Sequence, residues 1–207
     1  MSGPLVSVVV PVLDEGLELP RVLAHLESLE GDWEVLVAEG VGRAARMNEA
    51  ARTARGELVL FLHADSRLPA GAYASLARAA ADPGVVGGNF ALRFDGGDRF
   101  AGALTAVYAL QRRFGFYYGD SSVWVRRSVF EQLGGYRALP IMDDYDFVRR
   151  LEAVGRTECL PGPARTSDRR WRTMGVPRTL FSWWAIRWLY LAGVPAERLA
   201  RLYRRIR

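Results

Sequence analysis

The sequence predicts an α/β fold: a single Rossmann-like domain whose mostly parallel central sheet is flanked by helices, with a C-terminal helical appendage. Three features predict it. The first sixty-five residues alternate short apolar runs with segments of helical periodicity. The first of these runs, Val6–Val12, is β-branched rather than alternating, which is the pattern of a strand buried on both faces of a parallel sheet. The chain of 207 residues, with 50% hydrophobic and 11% aromatic content, can bury one substantial core and is too short for two independent catalytic domains.

The elements follow in order. Val6–Val12 is the first strand, and Leu19, Val22, Leu23, Leu26 and Leu29 recur at helical spacing behind it. Trp33–Ala38 is a second strand, Gly42–Ala54 an Ala- and Arg-rich helix, and Leu58–Leu62 a third strand ending at His63-Ala64-Asp65. Short β-α-β connections of this kind imply right-handed crossovers and a parallel sheet, with ligands bound beyond the carboxyl ends of the strands. Acidic residues follow each strand: Asp14 and Glu15, then Glu39, then Asp65. Further on, Ala72–Ala80 reads as a helix, Val85–Phe94 as a strand interrupted at Gly87-Gly88, and Phe100–Phe114 as an apolar helix. Ser121–Val125 reads as a strand, and Ser128 as the cap of a short helix ending at Gly134-Gly135. Asp143–Val154 is a helix opening with Asp143, Asp144 and Asp146, acids that also suit a helix N-terminus electrostatically. Leu180–Val194 is a tryptophan-rich helical stretch, too short for a membrane span and suited to a core, an interface or a surface-lying helix; Ala196–Arg207 is basic and amphipathic.

All 28 basic side chains are Arg, and the net charge of +5 points to an anionic partner: nucleotide phosphates, a membrane surface or nucleic acid. Nucleic acid is the least favoured, because the arginines are scattered rather than ordered in a recognisable module. The single cysteine, Cys159, excludes an intramolecular disulfide framework and reads as a buried structural thiol. The N-terminal segment lacks a basic stretch ahead of its apolar run and does not read as a signal peptide, so the expected location is cytoplasmic, at the inner membrane face if the Trp-rich helix meets lipid.

His63-Ala64-Asp65 places two potential ligands on one side of an extended chain at the end of a strand. A hard divalent cation bridging two phosphates needs only one or two protein carboxylates, and a neighbouring histidine admits Mn²⁺ as well as Mg²⁺. On spacing alone, an acid after a strand is common.

Read together, the segments carry more. Val6–Val12 followed by Leu13-Asp14-Glu15, then Gly42-Arg43-Ala44-Ala45-Arg46-Met47-Asn48, the third strand with its His-Ala-Asp triplet, Gly119-Asp120, Gly134-Gly135-Tyr136 and Met142-Asp143-Asp144 occur in the order of the family-2 glycosyltransferases, which have the GT-A fold. The chain resembles that family over about residues 5–175, most closely a small bacterial subgroup with a His-Ala-Asp triplet, some of whose members carry names connected with arsenosugar biosynthesis. The resemblance implies a catalytic, nucleotide-sugar-binding domain over residues 1–175 and a helical extension over 176–207, packed on the domain, a partner or a membrane.

It further implies roles for individual residues. Pro11, Val12 and Glu15 line the nucleotide pocket, Glu39 approaches the base, and Arg46 belongs with them. Asp65 holds Mn²⁺ or Mg²⁺ on the diphosphate. His63 stands where the family has an acid, so a ribose contact or a supporting role suits it better than direct ligation. Asp144 matches the general base that takes the acceptor proton during inverting transfer. Asp120, Asp143, Arg170 and Trp171 match positions near the acceptor or diphosphate, where Arg can clamp phosphate and Trp can stack on a sugar. The expected partners are a nucleoside-diphosphate sugar donor and a small-molecule or lipid acceptor, with peripheral membrane contact or a homodimer through the Trp-rich helix. The competing reading is a non-catalytic nucleotide- or membrane-binding module, since Glu39-Gly40-Val41 truncates the family's turn after the second strand.

Overall fold

The computed structural model describes residues 3–12, 18–96, 98–167, 172 and 175–206. Its six strands are β1 (Val6–Pro11), β2 (Trp33–Ala38), β3 (Leu58–Phe61), β4 (Val85–Phe94), β5 (Trp124–Arg126) and β6 (Arg156–Thr166). They form one sheet in the order β2-β1-β3-β5-β4-β6. β1 runs parallel to both β2 and β3, β4 runs parallel to β6, and β5 is antiparallel to both its neighbours. The helices are α1 (Glu18–Glu27), α2 (Arg43–Arg52), α3 (Ala72–Ala80), α4 (Arg99–Arg112), α5 (Arg127–Gln132), α6 (Asp143–Val154), α7 (Val176–Leu191) and α8 (Ala196–Ile206).

β1 and β3 are buried on both faces, successive side chains leaving a strand in opposite directions, whereas the edge strand β2 leaves Val35 and Val37 exposed. Val6, Val8 and Val10 of β1 and Leu58 and Leu60 of β3 join Val22 and Leu26 of α1 in one core. The intervening Val9, Val59 and Phe61 join Met47 of α2 and Phe147 of α6 in a second core on the other face. Phe61 anchors that second core, with edge contacts to Tyr136 and Phe147 at 4.9 and 6.4 Å between ring centroids.

Several elements depart from the sequence expectation, each for a physical reason. The fifth strand is Trp124–Arg126 rather than Ser121–Val125, because Gly119–Ser121 forms a 3₁₀ turn and Ser122 takes a left-handed backbone with φ 54°. The Gly87-Gly88 pair does not interrupt β4. A Cβ there would lie 2.6 Å from the Trp124 carbonyl oxygen or against the Glu158 backbone, so glycine is what lets β5 and β6 approach. α5 starts at Arg127, with Ser128 inside the helix rather than capping it. α7 starts at Val176, with Pro177 in its first turn, and ends at Leu191. β6 has no counterpart in the sequence expectation: Pro161-Gly162-Pro163 disguises it, and its pairing with β4 slips there, Phe90 facing Leu160 but Leu92 facing Ala164. Two prolines are tolerable because β6 is an edge strand. Cys159 lies on that strand and is exposed, not buried as expected.

Among the described residues, no helix is long and apolar enough to cross a membrane.

Candidate active site

Four segments converge beyond the ends of β2 and β3. α2 begins with Arg43, a cation at a helix N-terminus where the dipole disfavours positive charge. The offset comes from acids elsewhere in the chain. Arg43 Nη1 donates to Asp143 Oδ1 at 2.8 Å, and Arg43 Nη2 lies 2.8 Å from His63 Nε2. His63 stands just past β3, in a turn closed by the Ser66 amide donating to the His63 carbonyl at 2.9 Å. Asp143 and Asp144 occupy the first turn of α6, entered through Met142, whose φ of 64° is left-handed.

Asp144 is oriented from two sides. Its Oδ2 accepts from the Gly119 amide at 2.9 Å and its Oδ1 from the Tyr145 amide at 2.8 Å. Gly119 sits at the centre of the group. A Cβ there would lie 2.7 Å from Arg43 Nη2, 3.1 Å from His63 Nε2 and 3.2 Å from Asp144 Oδ2, so only glycine lets the three side chains close around the turn.

Burial pushes the Asp143 carboxyl above the usual carboxylate range; Arg43 pulls the other way, and the Asp144 charge adds to the rise. For Arg43, burial works against its charge, but Asp143 and Asp144 outweigh it and hold the guanidinium more firmly protonated than usual. Burial likewise raises the Tyr118 and Tyr136 phenols, which stay neutral.

These residues face a cavity of about 840 Å³. Asp65, Asp120, Asp143, Asp144, Arg43 and His63 line its polar side, so the carboxylates at positions 65 and 144 share one cleft. The opposite wall is apolar and comes from α4 and α7, including Leu104, Tyr108, Trp183 and Trp184. Met142, Tyr145, Ile186 and Leu199 pack into a cluster that holds α7 and α8 against α6.

Pro11, Val12, Glu39 and Arg46 lie outside that lining. Pro11 is buried in β1, and the Val12 amide continues the pairing to the Ala38 carbonyl at 3.1 Å. Glu39 is exposed at the end of β2. Arg46 is buried in α2 and donates to the Gly40 carbonyl at 3.3 Å, bracing the turn before the helix. Glu15, Arg170 and Trp171 lie outside the described residues. Asp146, the third acid of α6, serves the fold: it accepts from Arg137 at 3.0 Å and Arg150 at 2.8 Å, and Arg150 also reaches the Leu133 and Gly135 carbonyls.

Sequence reasoning missed Arg43 and the aromatic wall. The oddity of a cation opening α2 was the available signal for Arg43. Nothing local marks which helices will form the far side of a cleft.

A divalent cation fits this donor set in one way. Among the described residues no three His, Cys, Asp or Glu side chains gather to hold an ion by themselves, so Asp65 would hold one jointly with phosphate oxygens and water. The Nε2 of His63 is engaged by Arg43 and is not presented to an ion.

A twisted, mostly parallel α/β sheet with an acid-lined cleft at its strand ends is the architecture of GT-A glycosyltransferase folds. Residues 38–139 match the family model described as Glycosyl transferase family 2. Among solved structures, the chain is similar to the mannosyltransferase PcManGT from Pyrobaculum calidifontis, in complex with GDP-Man and Mn²⁺, at TM-score 0.62 and 21% identity, over 90% of this chain and 61% of that one. It is also similar to residues 1–349 of TarS from S. aureus in complex with UDP-GlcNAc, at TM-score 0.62 and 13% identity, over 81% of this chain and 59% of that one. The chain thus spans about three fifths of the structures it matches. No curated protein matches it.

Proposed function

We propose that the chain is a metal-dependent, inverting glycosyltransferase that moves a sugar from a nucleoside-diphosphate sugar to an acceptor hydroxyl. The observation that carries this reading is the shared cleft: Asp65 and Asp144, 79 positions apart in sequence, line one cavity, where the Gly119 amide holds Asp144 and Arg43 joins Asp143 to His63. The donors named for the similar structures, GDP-Man and UDP-GlcNAc, belong to the proposed donor class, and the Mn²⁺ of one of them accords with a cation at Asp65. The His63-Ala64-Asp65 triplet supports the finer placement in the arsenosugar-named subgroup.

The acceptor oxygen gives its proton to the Asp144 carboxylate as it attacks the anomeric carbon; the bond from that carbon to the diphosphate oxygen breaks, and the nucleoside diphosphate leaves. Both Asp144 oxygens already accept one backbone amide, which fixes the carboxylate while leaving each a lone pair for the proton. A cation bound at Asp65 supplies charge neutralisation on the departing diphosphate. Asp120 and Asp143 face the same space and would contact the acceptor, while α7, with α4, closes its apolar side. Arg170, Trp171 and Glu15 complete the proposal as diphosphate, acceptor and nucleotide contacts.

The test is hydrolysis of UDP-GlcNAc and GDP-Man with Mn²⁺ or Mg²⁺. Asp144→Asn is expected to lower turnover by roughly 10²–10⁴-fold with nucleotide binding retained. Asp65→Ala is expected to remove both turnover and the metal requirement. Wild-type protein that binds nucleotide but turns over neither donor would support the non-catalytic alternative.

A further inference from the structure

α7 is buried on one side and apolar and exposed on the other. Thr179, Ser182 and Ile186 face inward at i, i+3, i+7 spacing and are buried. Phe181, Trp184, Trp188 and Leu191 repeat the same spacing on the other side and are exposed, Phe181 and Trp184 each at 62%. α4 and the turn after it do likewise: Leu104 is buried while Val107, Leu110 and Phe114 are exposed, Phe114 at 67%. The two helices adjoin. Leu104 and Tyr108 pack with Val176 and Trp183, and Arg187 Nη1 donates to Gln111 Oε1 at 3.0 Å. Their outward sides therefore present exposed apolar side chains on adjoining helices, of the kind that marks an interaction site.

We propose that this surface docks on an anionic lipid bilayer. Tryptophan and phenylalanine suit the boundary between headgroups and acyl chains. Exposed Arg99 and Arg113 mark the two ends of the α4 stripe and exposed Arg178 the start of α7, cations placed to meet anionic headgroups, in a chain of net charge +5. Val107, Phe181, Trp184 and Trp188 both line the cavity and stand exposed, so the cavity opens through this surface. A second copy of the chain clamped there would seal the opening an acceptor has to use, whereas fluid lipid leaves it accessible; this choice rests on the transferase reading.

The test uses the full chain and vesicles of phosphatidylcholine with or without phosphatidylglycerol. The probe variant is Leu110→Ser/Phe114→Ser/Leu191→Ser, three exposed positions outside the cavity lining. Wild-type protein is expected to sediment with the phosphatidylglycerol vesicles and less with phosphatidylcholine alone. The variant should partition about tenfold less or lower, with unchanged circular dichroism, melting temperature and donor hydrolysis. Wild-type protein left in the supernatant, or a variant that sediments equally, overturns the proposal. So does a vesicle-free dimer that the triple substitution splits, which assigns the surface to a second copy. Vesicle binding without donor hydrolysis upholds docking while overturning the transferase reading.

Discussion

Arg43 joins the two halves of the site through one planar guanidinium, with Asp143 on one nitrogen and His63 on another. Lysine keeps the charge but offers a point donor where a fork is needed. Arg43→Lys is therefore expected to lower kcat at least about tenfold with little change in the donor KM, because small displacements of positioned groups are costly in the chemical step. Arg43→Gln leaves Asp143, only 6% exposed, without its cation and should also destabilise the fold by about 2 kcal/mol. Steady-state kinetics beside denaturant unfolding separates the two effects. Equal loss in kcat and stability, with KM raised in step, would show a merely structural arginine.

Among the elements, β2 is an edge strand, and one carboxylate secures it. Ser7 of β1 donates to Glu34 Oε2 at 2.5 Å; the Arg55 amide and Arg55 Nε donate to Glu34 at 2.8 and 2.6 Å. Burial works against the Glu34 charge, yet these donors hold its carboxyl at about 2, below the ordinary 4.5. A carboxyl lowered by folding stabilises the native state above its unfolded value, and that stability is lost as pH falls from about 4.5 through about 2. Glu34→Gln is expected to lower stability at neutral pH and to flatten its fall over that acid range, as read from urea unfolding at stepped pH.

Across the molecule, the cleft is bounded by segments as far apart in the chain as Arg43 and Tyr203, so ligands in it tie the folded state together. Mn²⁺ with UDP at about a hundred times its Kd is expected to stabilise by ~2.7 kcal/mol, raising the melting temperature by roughly 5–10 °C. Chelation should reverse the Mn²⁺-dependent part, and Asp65→Ala should abolish it. An unchanged melting curve in wild-type protein would remove Asp65 from the metal proposal. The same organisation explains the two sides of α7: one packs inward through Thr179, Ser182 and Ile186, and the other carries Phe181, Trp184 and Trp188 at the mouth of the cavity.

The parallel half of the fold was legible because its signals are local. Val6–Pro11, Trp33–Ala38 and Leu58–Phe61 are dominated by apolar residues, α1 shows helical spacing, and α6 has the same bounds in sequence and structure. Asp65 and Asp144 were legible as candidates through the ordered set of segments over about residues 5–175 that carries the family resemblance, not through either motif alone. What only the tertiary structure decided depends on partners far apart in the chain: the 100-residue link from Arg43 to Asp143, the edge strand hidden by Pro161 and Pro163, and the pairing of α4 with α7. Periodicity reports which side of an element is apolar. It does not report what that side meets, because that is set by how distant segments pack.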